Sequence, residues 1–133
     1  MIYFLDTNIC IYLINQRPSK LIEKFKTLTD DNIAISSVVL SELAFGAYNS
    51  LHIEKNLLAL EKFILPINVL PYDENAAYHY GDIRTYLKKS GAIIGQLDLM
   101  IAAHARSLNA TLITNNEKEF SRVKKLKWEN WAT

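Results

Sequence analysis

Short apolar runs, each closed by a polar turn and followed by a longer stretch with helical spacing, recur along this chain. That alternation limits its fold more than any other feature. Ile2-Tyr3-Phe4-Leu5 has the length and the aromatic and branched content of a buried strand. Asp6-Thr7-Asn8 breaks it, and Thr7 or Asn8 suits the cap of a helix that starts at Ile9 and fades before Pro18. A second amphipathic stretch carries Leu21, Ile22, Phe25 and Leu28, and Asp30-Asp31-Asn32 signals a turn. Ile33-Ala34-Ile35 reads as the second strand, and Ser36-Ser37 cap a helix from about Val38 to Tyr48. A helix over 56–65 turns Leu57, Leu60, Ile64 and Leu65 inward, and Ile67-Asn68-Val69-Leu70 forms the third strand. Asp73 caps a helix from Glu74 to Lys89 that Gly91 ends. After a loop over 91–95 come a helix from about Gln96 to Leu108 and a fourth strand at Thr111-Leu112-Ile113-Thr114. A turn at Asn115-Asn116, a short helix near Glu117–Phe120 and a last strand around Leu126–Trp128 finish the chain. Strands alternating with helices imply an α/β fold in three layers, with a mainly parallel sheet between helices. In such sheets the working crevice lies beyond the carboxyl ends of the strands.

Composition narrows the chemistry. At 133 residues the chain is expected to be one domain over residues 1–133, and its 50% hydrophobic content is enough for a real core. A net charge of +1 announces no polyanion binder globally, so any contact with nucleic acid must come from local clustering. Cys10 is the single cysteine, which rules out an internal disulfide and suits a reducing, cytoplasmic setting. The start has no signal-peptide pattern, and the apolar stretches fall far short of the ~20 residues that span a bilayer, so no membrane role is expected. The three histidines, His52, His79 and His104, are scattered and offer no zinc cluster with Cys10. No glycine-rich phosphate loop is present.

Three acids stand out. Asp6 closes the first strand, where a carboxylate can serve a rim site or simply cap a helix. Glu42 shares a helical face with Val38, Val39 and Phe45, so it must be paired, protonated, bound to a cation or turned toward the rim. Asp98 has Ile94, Ile101 and Ala102 as helical neighbours, in a segment apolar nearly all round that should be central and buried. Asn116 occupies the matching rim position after the fourth strand, with Thr114 beside it and Glu119 a helical turn beyond. Thr7, Asn8, Thr114 and Glu119 are the expected supporting residues. Oxygen-only donors suit a hard cation that keeps several waters. Arg84, Lys88 and Lys89 gather at the end of one helix and are candidate RNA contacts, and further basic residues crowd the tail from Arg122 to Lys127.

In order along the chain, Phe4-Leu5-Asp6-Thr7-Asn8, Ile35-Ser36-Ser37-Val38-Val39-Leu40-Ser41-Glu42-Leu43, Gly95-Gln96-Leu97-Asp98-Leu99-Met100-Ile101-Ala102-Ala103-His104-Ala105 and Leu112-Ile113-Thr114-Asn115-Asn116 with Glu119-Phe120 resemble the VapC toxins of type II toxin–antitoxin systems. The ending Trp128-Glu129-Asn130-Trp131 matches as well. The resemblance implies a PIN domain that cuts RNA with magnesium or manganese and is held inactive by a VapB-like antitoxin. It implies Asp6, Glu42 and Asp98 as metal ligands and Asn116 as a further catalytic position. It also implies transfer RNA, often at the anticodon loop, as the substrate class, and a homodimer that joins the antitoxin in a hetero-oligomer. Many relatives carry a fourth acid where this chain has the neutral Asn116, so either a second metal is not tightly held or Glu119 stands in.

Three rival readings fit less well. A receiver domain needs an acidic pair at the first strand's end and an aspartate after the third. A phosphoaspartate phosphatase needs a second aspartate where Asn8 stands. A non-catalytic interaction module would use its acids only to hold a basic peptide. RNA cleavage that requires a divalent cation separates the nuclease from all three.

Overall fold

The computed structural model describes residues 1–28 and 32–133. The turn expected at Asp30 and Asp31 lies outside the described residues. Strands β1 (Tyr3–Leu5), β2 (Ile33–Ser36), β3 (Asn68–Leu70), β4 (Thr111–Ile113) and β5 (Lys127–Glu129) form a five-stranded sheet in the order β3-β2-β1-β4-β5. All four neighbouring pairs are parallel, so the sheet goes beyond the mainly parallel expectation. Helices α1 (Thr7–Ile14), α2 (Ser19–Lys26), α3 (Ser37–Tyr48), α4 (Ile53–Ile64), α5 (Glu74–Lys89), α6 (Gln96–Ser107) and α7 (Glu117–Phe120) flank it. Every residue of β2 and β4 is buried, as expected of parallel strands covered on both faces. Phe4, Leu5, Ile35, Leu112 and Ile113 are wholly inaccessible, and each contributes roughly 1.5–3 kcal/mol by leaving water.

The chain order places β1 centrally, with β2 on one side and β4 on the other. Connections leave β1 and β4 in opposite directions, so the topological switch point falls between these two strands. The crevice opens at their carboxyl ends, where Asp6 and Thr114 follow β1 and β4. Helices α5 and α6 run antiparallel, since Arg106 and Ser107 at the end of α6 meet His79, Asp82 and Asn75 near the start of α5. This pairing brings the end of α5 back beside the N-terminus of α6, where Asp98 sits.

Several local expectations shift. Helix α1 begins at Thr7 rather than Ile9, because Asp6 is the cap and accepts the Ile9 N–H at 2.9 Å. Ser36 alone caps α3, through the Val38 N–H at 3.0 Å, while Ser37 is already helical and accepts the Tyr72 N–H on its hydroxyl. Helix α4 starts at Ile53, and Leu65 is 86% exposed rather than inward, because the helix ends at Ile64 and the chain turns out toward Pro66. Strand β5 lies one residue later than expected at its start and end. Gly91 takes a φ of 68°, the left-handed conformation that ends α5 as its sequence position implied.

Candidate active site

The strand ends, not the helices, set the position of the first acid. Asp6 is only 4% exposed, yet both of its carboxylate oxygens are engaged. Oδ1 accepts the Ile9 N–H, and Oδ2 accepts the Thr114 hydroxyl. Thr114, itself buried at the end of β4, accepts the Asn116 N–H at 2.9 Å on the same hydroxyl oxygen. One threonine therefore ties the ends of β1 and β4 to the turn before α7. Burial pushes the Asp6 carboxyl above its ordinary value, and nearby Glu42 adds to that, against the lowering effect of the Thr114 and Ile9 bonds.

The second acid arrives on α3. Glu42 is half-buried, and its Oε1 accepts the Thr7 hydroxyl at 2.7 Å, a bond from the first turn of α1 to the second turn of α3. The apolar face expected around it divides. Val38 and Val39 are buried, but Phe45 is 68% exposed, so Glu42 stands at the border of the core and looks onto open surface. An exposed hollow of about 650 Å3 beside it is lined by Asn8, Ile11, Phe45, Leu97 and Met100 among others. Asn8 is exposed and lines that hollow rather than capping a helix.

The third acid, Asp98, sits in the first turn of α6. It is pushed up to about 7, first by burial, then by a hydrogen bond to Glu119 and the charges of Glu119, Asp6 and Glu42. Glu119 moves the opposite way, because it accepts the Asp98 proton and is also bonded by Asn116 Nδ2 at 3.2 Å and the Gly95 N–H. The proton of this pair therefore resides on Asp98 rather than on Glu119, and Asp98 is the donor of the hydrogen bond between them. The fourth carboxylate at the rim is thus Glu119 from α7, and Asn116 props it. Glu119, Asp6 and Glu42 all raise the cost of ionising Asp98, and Glu42 does the same to Asp6.

Two contacts near these acids had no sequence signal. Asn115 Nδ2 donates to the Tyr12 hydroxyl at 2.9 Å, which pins the turn that carries Thr114 and Asn116 to α1. Arg122 donates through Nη1 to the Ile93 carbonyl at 3.1 Å and helps hold Glu119 ionised. Both join residues distant in sequence, and no spacing in the chain points to either partner. Arg84, Lys88 and Lys89 are all exposed on α5, with Arg84 bonded to the Tyr80 hydroxyl at 3.1 Å. They are not among the residues bonded to the acids.

The donor set fits a hard divalent cation. It is all oxygen, it carries an excess of carboxylate, and burial has driven one acid to hold a proton that a cation would displace. Among the described residues no group of three or more His, Cys, Asp or Glu side chains forms a ready-made cage. An ion that retains several of its own waters suits that looser arrangement.

Comparison with known proteins agrees with this geometry. The family model described as PIN domain matches residues 3–126. The ribonuclease VapC2 of Rickettsia felis is 46% identical over 132 residues, covering 98% of each chain. The tRNA(fMet)-specific endonuclease VapC of Shigella flexneri is 45% identical over 130 residues, again covering 98% of each. The crystal structure of VapBC2 from Rickettsia felis, bound to a DNA fragment from their promoter, superposes with a TM-score of 0.92 at 44% identity over 98% of this chain and 99% of that one. PIN-domain ribonucleases depend on divalent metal, in keeping with the oxygen-rich site. The chain belongs to the PIN-domain family and, within it, to the VapC ribonucleases of toxin–antitoxin systems.

Proposed function

We propose that this chain, as one PIN-like domain over residues 1–133, is the toxin of a type II pair. In this reading it hydrolyses RNA, with transfer RNA as substrate, using magnesium held by Asp6, Glu42 and Asp98, and manganese can substitute. The observation that carries the reading is the convergence of these acids with Glu119 at the switch point, where Asp98 is pushed up to about 7. In such a pocket a hard divalent cation supplies acidification of water at neutral pH and neutralises charge on the phosphate and the departing oxygen. The chain's own residues do the rest. Thr114 and the Ile9 N–H hold the Asp6 carboxylate in one orientation. Thr7 fixes Glu42, which either completes the cation's ligands or aligns the attacking water. Glu119 accepts a hydrogen bond from the Asp98 carboxyl, and Asn116 and Gly95 help keep Glu119 ionised in that role.

The antitoxin partner has a matching surface. The large hollow beside Glu42 adjoins a smaller one of about 190 Å3 between α1, α3 and α4, and Ile11 and Glu42 line both. Exposed Ile11, Phe45 and Leu97 line the larger one, an apolar area of the kind that marks a partner site. A VapB-like segment lying there would cover the mouth of the acid cluster. A two-fold homodimer, the commonest assembly, is the expected form of the chain itself.

Expressed alone, the wild-type chain should arrest growth, and cut transfer RNA ends should accumulate. Coexpression of its antitoxin should suppress both, and the Phe45→Glu chain should escape suppression while still cutting. A wild-type chain that leaves growth and RNA ends unchanged would overturn the reading. Asn116→Asp tests the ligand field separately. An added carboxylate beside Glu119 should lower Tm in metal-free buffer and enlarge the Tm gain on adding magnesium. An equal magnesium gain in both proteins would place residue 116 outside the ion's reach.

A further inference from the structure

The acid cluster poses a problem for a polyanionic substrate. Four carboxylates meet the scissile region, and the whole chain offers a net charge of only +1. Attraction for an RNA backbone must therefore come from cations fixed beside the cluster. The segment after α7 provides them. Glu119, bonded to Asp98, lies three residues before Arg122, and Arg122 is held to the loop before α6 by the Ile93 carbonyl. The chain then runs through Lys124 and Lys125, both exposed, to a surface hollow of about 290 Å3 between α5 and the end of α6.

That hollow is built rather than incidental. Arg106, with a side chain only 11% exposed, donates to the Lys124 carbonyl at 3.2 Å and so fixes the path of the lysine segment. Its guanidinium also donates to His79 Nδ1 at 2.9 Å and pairs with Asp82 at 2.6 Å, so its own charge is spent on the scaffold. Asp82 also lines the hollow and its carboxylate feels Lys125, but with Arg106 spent on Asp82 the hollow keeps a positive excess from Lys124 and Lys125. The Lys124 ammonium sits 4.3 Å over the Tyr86 ring, which holds it at the mouth instead of leaving it free to sweep solvent. Lys125 takes a φ of 63°, a left-handed turn that lets two consecutive lysines line one hollow. Along α6 the distance from Asp98 to Arg106 is about 12 Å by helical rise, a span of a few nucleotides.

We propose that Arg122, Lys124 and Lys125, with Tyr86 as a platform, form a track that binds the sugar-phosphate backbone of RNA as it leaves the acid cluster. The proposal rests on RNA being the substrate. The track positions the strand and reads charge, not base identity. It adds affinity for long substrates and takes no part in bond cleavage.

The test uses the full chain and a Lys124→Gln/Lys125→Gln double variant, with Lys124→Arg/Lys125→Arg as the rescue. Binding of an unmodified transfer RNA transcript is measured in metal-free buffer across a range of salt. Cleavage of the same transcript and of a trinucleotide is measured with magnesium. The double glutamine variant should bind the transcript about tenfold more weakly, and its slope of log K against log salt should be shallower by about 1.5, close to two lost phosphate contacts. Its KM for the transcript should rise with kcat held, and the penalty should shrink on the trinucleotide. The arginine variant should recover both affinity and slope. An unchanged slope and KM on the transcript would overturn the track, as would an equal penalty on the trinucleotide. If the wild type binds with the steeper slope but cuts nothing, the track stands and the ribonuclease reading fails.

Discussion

Asp98→Asn should abolish RNA hydrolysis, by about 10^3-fold or more in kcat, without loss of folded protein. The side chain is central to the cluster, since burial and all three neighbouring acids act on it. An amide of the same shape cannot supply a carboxylate to a cation, and it has no titrating proton to release when one binds. Stability should move the other way. Burial and the neighbouring carboxylates make ionising Asp98 costly, and Asn removes that cost. Asp98 is half-exposed, so solvent reduces the gain to about 1 kcal/mol. Asp6→Asn should lose activity as completely but gain less stability. Its Oδ1 can still accept the Ile9 N–H, while its new NH2 faces the Thr114 hydroxyl that now donates to Oδ2. Initial cleavage rates and urea midpoints in metal-free buffer check both halves. Full activity in either variant would remove that carboxylate from the chemistry.

The largest effect on stability should come from a residue with no part in the chemistry. His104 is 1% exposed on α6, and its Nδ1 lies 2.8 Å from the Ser36 hydroxyl that caps α3. Its ring meets Phe4 edge-on at 5.0 Å and Tyr72 at 5.7 Å. His104→Ala would leave a cavity between α6 and the sheet and remove a partner from the cap, at a cost of about 3 kcal/mol. Burial holds the imidazole below its usual pKa, with Asp73 opposing weakly. The unfolded chain therefore takes up this proton at higher pH than the folded one. His104 leaves stability untouched above about pH 6.5 and drains it as pH falls from there through the lowered folded value. His104→Leu should lack this component of acid sensitivity. Urea midpoints at about pH 7.5 and about pH 5.5 measure it, and an equal loss in wild type and His104→Leu would contradict the assignment.

Much of this was legible in the sequence because the signals were local. Asp73 and Gly91 bracket α5 as their cap and left-handed roles require. The continuous apolar runs at β1, β2 and β4 mark strands covered on both faces. Local signals failed where two residues competed for one role. Thr7 and Asn8 are good caps, but Asp6 precedes them and its carboxylate takes the cap while also facing the site. Periodicity failed where apolar residues serve a surface. Phe45 shares the helical face of Val38 and Val39 by spacing, yet it is 68% exposed because that end of the face borders the hollow beside Glu42. Leu65 failed for a simpler reason, since the helix stops one residue short of it. The acids Asp6, Glu42 and Asp98 could be named from their apolar neighbours and rim positions. That Glu119 shares the Asp98 proton, and that Tyr12 pins the Asn115 turn, depends on contacts across the fold that no spacing encodes.

The central claim is that carboxylates at the switch point deliver water to phosphorus with the help of a divalent cation. End-group analysis of the fragments tests it most directly, on RNA cut by the purified chain as magnesium is titrated into metal-stripped buffer. Water attack in line with the departing 3′-oxygen leaves a 5′-phosphate and a 3′-hydroxyl. Attack by the neighbouring 2′-hydroxyl needs acid–base groups such as a histidine pair, and here His104 is buried in the core while His79 is bonded to Arg106. The account predicts 5′-phosphate and 3′-hydroxyl ends that appear only as magnesium is added. A 2′,3′-cyclic phosphate that forms in metal-stripped buffer would contradict it.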